Sequence, residues 1–276
     1  MNIQPSPDYR GPVTTAIFDW AGTVIDFGCI APVASFQDAF AKAGVEITEA
    51  EARGPMGAAK REHVELILGD TAVQARWQDA KGRPSDQADV DALYTSFLTA
   101  DAENCARFSG LIPGAIEVIS ALRAKGIAIG STTGYPRSIM DGLMPLAAAQ
   151  GYVPDHTVTV TEARRGRPYP DMVLENALVL GAPDMRACVV VDDSPTGLVS
   201  ARAAGMWAVG IIASGNEVGL SLDEWKALTP AEQGTRRSEA ADVLTANGAH
   251  YTIDTIADLL PVIAEIEARL LKGDRP

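Results

Sequence analysis

At 276 residues the chain is long enough for one large or two modest domains with a sizeable buried core. Its 47% hydrophobic and 21% charged content, with 25 Gly and 17 Pro, fits an ordinary globular protein and excludes a disordered or collagen-like one. Three cysteines, Cys29, Cys105 and Cys188, exclude a disulfide framework and a Cys-rich zinc site, and a net charge of −13 argues against a nucleic-acid partner. An anionic substrate therefore needs local positive charge. The opening MNIQPSPDYRGP has no basic start followed by an apolar run, and no stretch of about 18 consecutive apolar residues occurs. The expected location is cytoplasmic, with no membrane span.

Residues 13–19, VTTAIFD, form a β-branched apolar run ending in a carboxylate and predict a first strand. From about 28 to 107 no convincing strand appears. Helices are expected at 31–43, stopped by Gly44, after the capping box Thr48-Glu49-Ala50-Glu51, and near 58–68, 71–80 and 88–105. Farther on, strands at 127–130, 156–160, 187–191 and 207–212 alternate with helices at 114–125, 170–180 and 195–204. Such alternation predicts an α/β fold with a doubly wound parallel sheet. The simplest architecture is a core of residues 1–27 and 108–276 with an inserted all-helical domain at 28–107. Residues 213–248 read as irregular and polar.

Ligands of open parallel sheets bind beyond the carboxyl ends of the strands. Four strand ends carry polar groups suited to chemistry. Asp19 opens Asp19-Trp20-Ala21-Gly22-Thr23, where a turn or capping role competes with a chemical one. Gly130-Ser131-Thr132-Thr133-Gly134 runs into a helix start at Tyr135-Pro136, an arrangement that holds phosphate on free amides. Arg164-Arg165-Gly166-Arg167-Pro168 can supply the missing positive charge or remain a solvated loop. Asp192-Asp193-Ser194 follows the most apolar strand, and adjacent carboxylates there need solvent or a cation.

In their order and spacing these motifs resemble the haloacid dehalogenase superfamily, whose members carry a Rossmannoid core and often a cap inserted after the first strand. The resemblance implies that Asp19 is the nucleophile forming an aspartyl-phosphate and that Thr133, Gly134 and Arg167 bind the phosphoryl group. It implies a magnesium site at Asp19, Ala21 and Asp193. Magnesium suits such a set because it takes oxygen ligands from one or two carboxylates plus substrate phosphate. One departure concerns Asp192-Asp193, since the family pattern has Gly-Asp and a further Asp four residues on, where this chain has Gly197. Asp193 is then the expected ligand and Asp192 an outer partner or an alternative to it.

In the superfamily's phosphatases and mutases an acid two residues after the nucleophile protonates the leaving alcohol, and here that position is Ala21. Either the chain is a non-catalytic binding protein or its leaving group is not an alkoxide. A carbon leaving group needs an electron sink, commonly an iminium formed from lysine. Lys60 is a candidate, in the first turn of an expected helix whose positive end disfavours an ammonium, with His63 one turn on.

The runs Asp19 to Thr23, Gly28-Cys29, Pro55-Met56-Gly57 to Lys60 and His63, Gly130 to Tyr135, Gly166 to Pro170, Ala204-Gly205-Met206-Trp207 and Asn247 to His250 resemble the phosphonoacetaldehyde hydrolase, or phosphonatase, family over nearly the whole chain. That resemblance implies a magnesium-dependent homodimer cleaving a small-molecule phosphonate to acetaldehyde and phosphate. Lys60 would form the imine, with His63 catalytic and with Met56, Cys29 and Tyr135 lining the site. Packing roles for Met56 and Cys29, a loop-closing role for Tyr135 and a capping role for His63 remain open. The runner-up activity is a phosphatase or mutase acting on a small phosphorylated metabolite.

Overall fold

The computed structural model describes residues 8–276, so the first residues of the segment expected at 1–27, and most of the opening stretch, lie outside the described residues. Six strands form one parallel sheet in the order β3-β2-β1-β4-β5-β6. They are β1 (Thr15–Phe18), β2 (Ala128–Thr133), β3 (His156–Thr159), β4 (Cys188–Asp192), β5 (Trp207–Ile211) and β6 (Tyr251–Ile253). Both faces are covered, so the strands read as continuous apolar runs. Phe18, Val189 and Val191 turn to one face, against α6 (Ala115–Ala124), α7 (Arg137–Ala149) and α12 (Leu259–Lys272). Ile17 and Val190 turn to the other, against α8 (Asp171–Val179), α9 (Pro195–Ala203) and α11 (Pro230–Ala246).

Between β1 and α6 come α1 (Ile30–Lys42), α2 (Glu49–Arg53), α3 (Lys60–Gly69), α4 (Thr71–Lys81) and α5 (Gln87–Arg107). They gather around an apolar cluster of their own that includes Phe36, Phe40, Val64, Ile67, Trp77, Leu93 and Phe97. α2 starts on the expected capping box, with the Thr48 side chain accepting from the Glu51 N–H and the Glu51 carboxylate accepting from the Thr48 N–H.

Three expectations need correction. Residues 213–248 are not irregular, since they contain α10 (Leu222–Ala227) and α11. Each starts on a capping box, Ser221 with Glu224 and Thr229 with Glu232, but α11 buries only Ala240 and Leu244, so its apolar stripe is too thin to show a period. The second strand does not stop at 130. It runs on to Thr133, so Ser131, Thr132 and Thr133 are strand residues held by β3 rather than a loop entering a helix. Finally, β6 and α12 extend the sheet and its covering layer beyond the elements expected, with β6 a three-residue edge pairing with β5.

Register fixes the site. Phe18 pairs with both Ser131 and Val191, which sets Asp19 level with Thr132 and Asp192. The chain runs from β1 out to β3 and then crosses back to β4, so the strand order reverses beside Asp19, where a crevice opens in doubly wound sheets. Among the described residues no helix is long and apolar enough to cross a membrane.

Ile17, fully buried in the central strand, tests this core. Ile17→Ala should cost about 2–5 kcal/mol by urea unfolding, where a surface position would change by about 0.5 kcal/mol or less.

Candidate active site

Asp19 leaves β1 with its N–H donating to the Val191 carbonyl (3.0 Å), and its carboxylate is buried. Arg167, also buried, donates from Nη2 to Asp19 Oδ1 (2.6 Å) and Thr132 Oγ1 (2.8 Å), and the same nitrogen lies 2.9 Å from Asp192 Oδ2. Burial works against the guanidinium charge, but Asp19 and Asp192 hold its pKa above the ordinary arginine range. The remaining cations of the basic loop stay outside, for Arg164 is exposed and Arg165 pairs with Asp171 (2.7 Å).

Asp192 and Asp193 close the other side. Asp192 Oδ1 accepts from the N–H (2.9 Å) and hydroxyl (2.7 Å) of Ser194. Asp193 Oδ2 accepts from the Asn216 N–H (2.7 Å) and the Cys29 thiol (3.0 Å). Burial, reinforced by neighbouring negative charge, pushes both carboxyls above the usual range. Oxygen atoms of Asp19, Asp192 and Asp193 lie within 4.8 Å of one another. Three carboxylates against one guanidinium leave the cluster short of positive charge, and Asp192 Oδ2 receives no aligned hydrogen bond. The donor set is all oxygen and can hold a metal ion. Asp19, Asp193 and Ala21, which has only its carbonyl to offer, face the cleft; Asp192 does not line it.

Gly197 explains why the departure at 192 and 197 is self-consistent. A Cβ there would meet the Asp192 carboxylate at 2.0–2.4 Å, so the space an acidic side chain at 197 would use is taken by Asp192.

Across the cleft stand residues of the helical insert. Lys60 is the first residue of α3 and is buried, with Nζ 3.7 Å from Met56 Sδ and 5.0 Å from the centre of the Tyr135 ring. Burial lowers its pKa, opposed most by Asp101. Cys29, Met56, Lys60, Tyr135, Thr133 and Gly134 all line the cleft with Asp19 and Arg167. His63 is placed differently. It is fully buried behind Lys60, donates from Nε2 to the Ala52 carbonyl (2.8 Å), stacks on Phe36 (4.0 Å between centres), and does not line the cleft. Burial, with Lys60 beside it, lowers its pKa to about 3, so its ring is neutral.

The insert is seated on the core. Arg53 donates to the carbonyls of Gly28 (2.8 Å) and Gly219 (2.9 Å). Gly57, at φ +91°, lies so close to the core that a Cβ would be 2.2 Å from Thr196 Oγ1.

Thr132, Asn216 and Asp101 take part in or around the site without having been singled out. Thr132 lay inside the hydroxyl run, whereas Asn216 gave no signal because it uses its main-chain N–H. Asp101 carried one, as a lone carboxylate on the helix stripe that buries Phe97 and Cys105.

A haloacid dehalogenase-like hydrolase family model matches residues 13–205. The chain is 49% identical to phosphonoacetaldehyde hydrolase of Klebsiella pneumoniae over 266 residues, 96% of this chain and 99% of that one. The chain belongs to the phosphonoacetaldehyde hydrolase family of haloacid dehalogenase-like hydrolases. The Hahella chejuensis relative of the same name is 44% identical, over 97% of this chain and 91% of its own. The crystal structure of a phosphonoacetaldehyde hydrolase-like protein from Oleispira antarctica superposes with a TM-score of 0.97 at 43% identity, covering 99% of each chain. Membership of this hydrolase family makes the chain an enzyme and sets aside the reading as a non-catalytic binding protein.

The crowding at Gly197 is directly testable. Gly197→Ala should lower stability by more than about 2 kcal/mol. Gly234→Ala, at an exposed α11 glycine whose Cβ would meet nothing, should raise it by about 0.5–1 kcal/mol in the same thermal melts.

Proposed function

We propose that this hydrolase cleaves the carbon-phosphorus bond of phosphonoacetaldehyde to give acetaldehyde and phosphate, with Lys60 as an imine-forming residue and Asp19 as the nucleophile at phosphorus. The observation that carries the reading is Lys60 in the same cleft as Asp19, buried and 3.7 Å from a thioether, while Ala21 offers no acid for an alcohol leaving group. A phosphatase or mutase reading would need Lys60 outside the cleft.

In this reading the neutral Lys60 amine attacks the aldehyde carbon, water leaves, and a protonated imine forms. An Asp19 oxygen attacks phosphorus as the carbon-phosphorus electron pair moves into a carbon-carbon double bond, giving an enamine on Lys60 and an aspartyl-phosphate. Protonation of the enamine carbon and hydrolysis of the imine release acetaldehyde. Water then cleaves the aspartyl-phosphate, with the Lys60 amine or its imine as the group that assists, because Ala21 has none to give. Arg167, Thr133 and the Gly134 main chain hold the phosphoryl oxygens. Met56, Cys29 and Tyr135 shape the aldehyde end, and His63 acts through Lys60. Asp19, Asp193 and the Ala21 carbonyl would hold magnesium, which supplies neutralisation between Asp19 and its anionic target. Residues 28–107 act as the cap that closes this chemistry off from water. The unbridged buried cysteines support a cytoplasmic setting, and the homodimer implied by the family belongs to the same reading.

Asp19→Asn should leave the thermal melt nearly unchanged while phosphate release falls by more than about a hundredfold, and chelating magnesium from the wild type should match it. A variant retaining more than that would rule out Asp19 as the covalent nucleophile.

Lys60→Arg keeps the charge but cannot form an imine, so turnover of phosphonoacetaldehyde should fall by about a thousandfold or more. Borohydride added with acetaldehyde should attach an ethyl group to wild-type Lys60, read by mass spectrometry of the digested peptides. An active Arg variant, or a label on another lysine, would return the phosphatase reading to first place.

A further inference from the structure

Phe36 of α1 stacks against both His63 of α3 (4.0 Å) and Phe97 of α5 (4.3 Å), drawing the three helices together. Lys60 lies one turn before His63, with Nζ 5.7 Å from the centre of the Phe36 ring. Asp101 lies one turn after Phe97, and its Oδ1 accepts from the hydroxyl of Ser35, the residue preceding Phe36 (2.8 Å). Both side chains therefore gather at one end of the Phe36 stack. Asp101 is completely buried, and its Oδ2 accepts no hydrogen bond. A buried carboxylate with an unpartnered oxygen is costly unless a cation faces it. Burial pushes the Asp101 carboxyl up and the Lys60 amine down, and each is the strongest charge opposing that push on the other.

The remaining groups that face Lys60 or this pocket cannot take the same part. Burial pushes the Cys29 and Cys105 thiols and the Tyr135 phenol up, which keeps them neutral. His63 is neutral because burial holds it near 3. Asp26, pushed up to about 7 by burial, spends both oxygens on the amides of Ile30 and Ala31 (3.0 Å each). Asp19 is paired with Arg167 at 2.6 Å, and its charge is consumed when it bonds to phosphorus. Of Asp19, Asp26 and Asp101, only Asp101 has a fully buried oxygen, Oδ2, with no hydrogen-bond partner.

We propose that Asp101 is a positioning residue whose carboxylate is the buried counter-charge of the Lys60 imine, keeping that nitrogen protonated so that it draws off the electrons of the breaking bond. The inference rests on the imine reading above. As the carbon-phosphorus pair moves into the new carbon-carbon double bond, the carbon-nitrogen pair settles on Nζ. The proton stays on nitrogen, and Asp101 neither gains nor loses one.

The test is the pH profile of kcat for phosphonoacetaldehyde turnover by the magnesium-loaded enzyme. Removing a facing anion weakens the protonated imine, so the alkaline limb of Asp101→Asn should move down by about one pH unit or more, with about a tenfold loss along that limb. Asp101→Leu, which leaves no unpaired polar atom if the Asn variant folds poorly, should move the limb the same way. Asp101→Glu should restore it. A purely structural role would lower the whole profile by one factor without moving the limb, and that result, or an unmoved limb in either neutral variant, overturns the inference. Borohydride labelling of wild-type Lys60 separates the two failures. A label with an unmoved limb rejects Asp101 alone, whereas no label rejects the imine on which it depends.

Discussion

Burying three carboxylates beside one guanidinium at the ends of β1 and β4 is the constraint from which the core half of this molecule follows. Asp19, Asp192 and Asp193 are buried, so their charge calls for donors or a cation nearby. Donors arrive from distant parts of the chain, with Arg167 from the loop after β3, Asn216 from beyond β5 and Cys29 from the entry to the insert. The cost extends to the backbone. Cys29 sits at φ +52° and Asp26 at φ +54°, a region side-chain-bearing residues seldom occupy, and this turn brings the Cys29 thiol to Asp193 while Asp26 caps α1. The same crowding excludes a side chain at 197, so Asp192 and Gly197 form one solution rather than two substitutions.

The insert imposes the opposite condition on its half of the cleft. Lys60 lies against Met56, Tyr135 and Phe36, whose sulfur and rings carry no charge to pair with it. Rings and a thioether favour a cation only weakly compared with water, which is why burial lowers the lysine pKa. His63, locked on the Ala52 carbonyl and the Phe36 ring, holds the start of α3 in place and brings no second charge near the amine.

Legibility in the sequence followed the strength of local signals. β4 and the first strand were plain because both faces of these strands are buried, and α2 was plain from the Thr48 capping box. α11 was hidden because a surface helix that buries two residues has almost no period, although Thr229, Pro230 and Glu232 marked its start. β6 was hidden because a three-residue edge strand with a single buried side chain, Ile253, is specified by its neighbour rather than by its own composition. At the site, Asp19 and Lys60 stood out as charge at a strand end and a helix start, and Arg167 was picked out of its basic loop by the family resemblance. Asn216 could not, since any residue has a main-chain N–H to donate. The fold gives the physical difference between the arginines of that loop, burying Arg167 against Asp19 and leaving Arg165 on the surface.

Ala21 ties the two halves together. It lines the same cleft as Asp19, Asp193 and Lys60. An aspartate there would add a further negative charge to a cluster already short of positive charge, and it would supply Lys60 with a partner on the core side. In the proposed arrangement the anion set against Lys60 is Asp101, on the insert rather than at the phosphoryl end. In the proposed mechanism a protonated imine on Lys60 takes Asp101 as its counter-charge, while the phosphoryl end keeps Arg167. On that reading the missing acid and the buried lysine are one arrangement, in which charge is withheld from the leaving group's side and placed behind the nitrogen that receives its electrons.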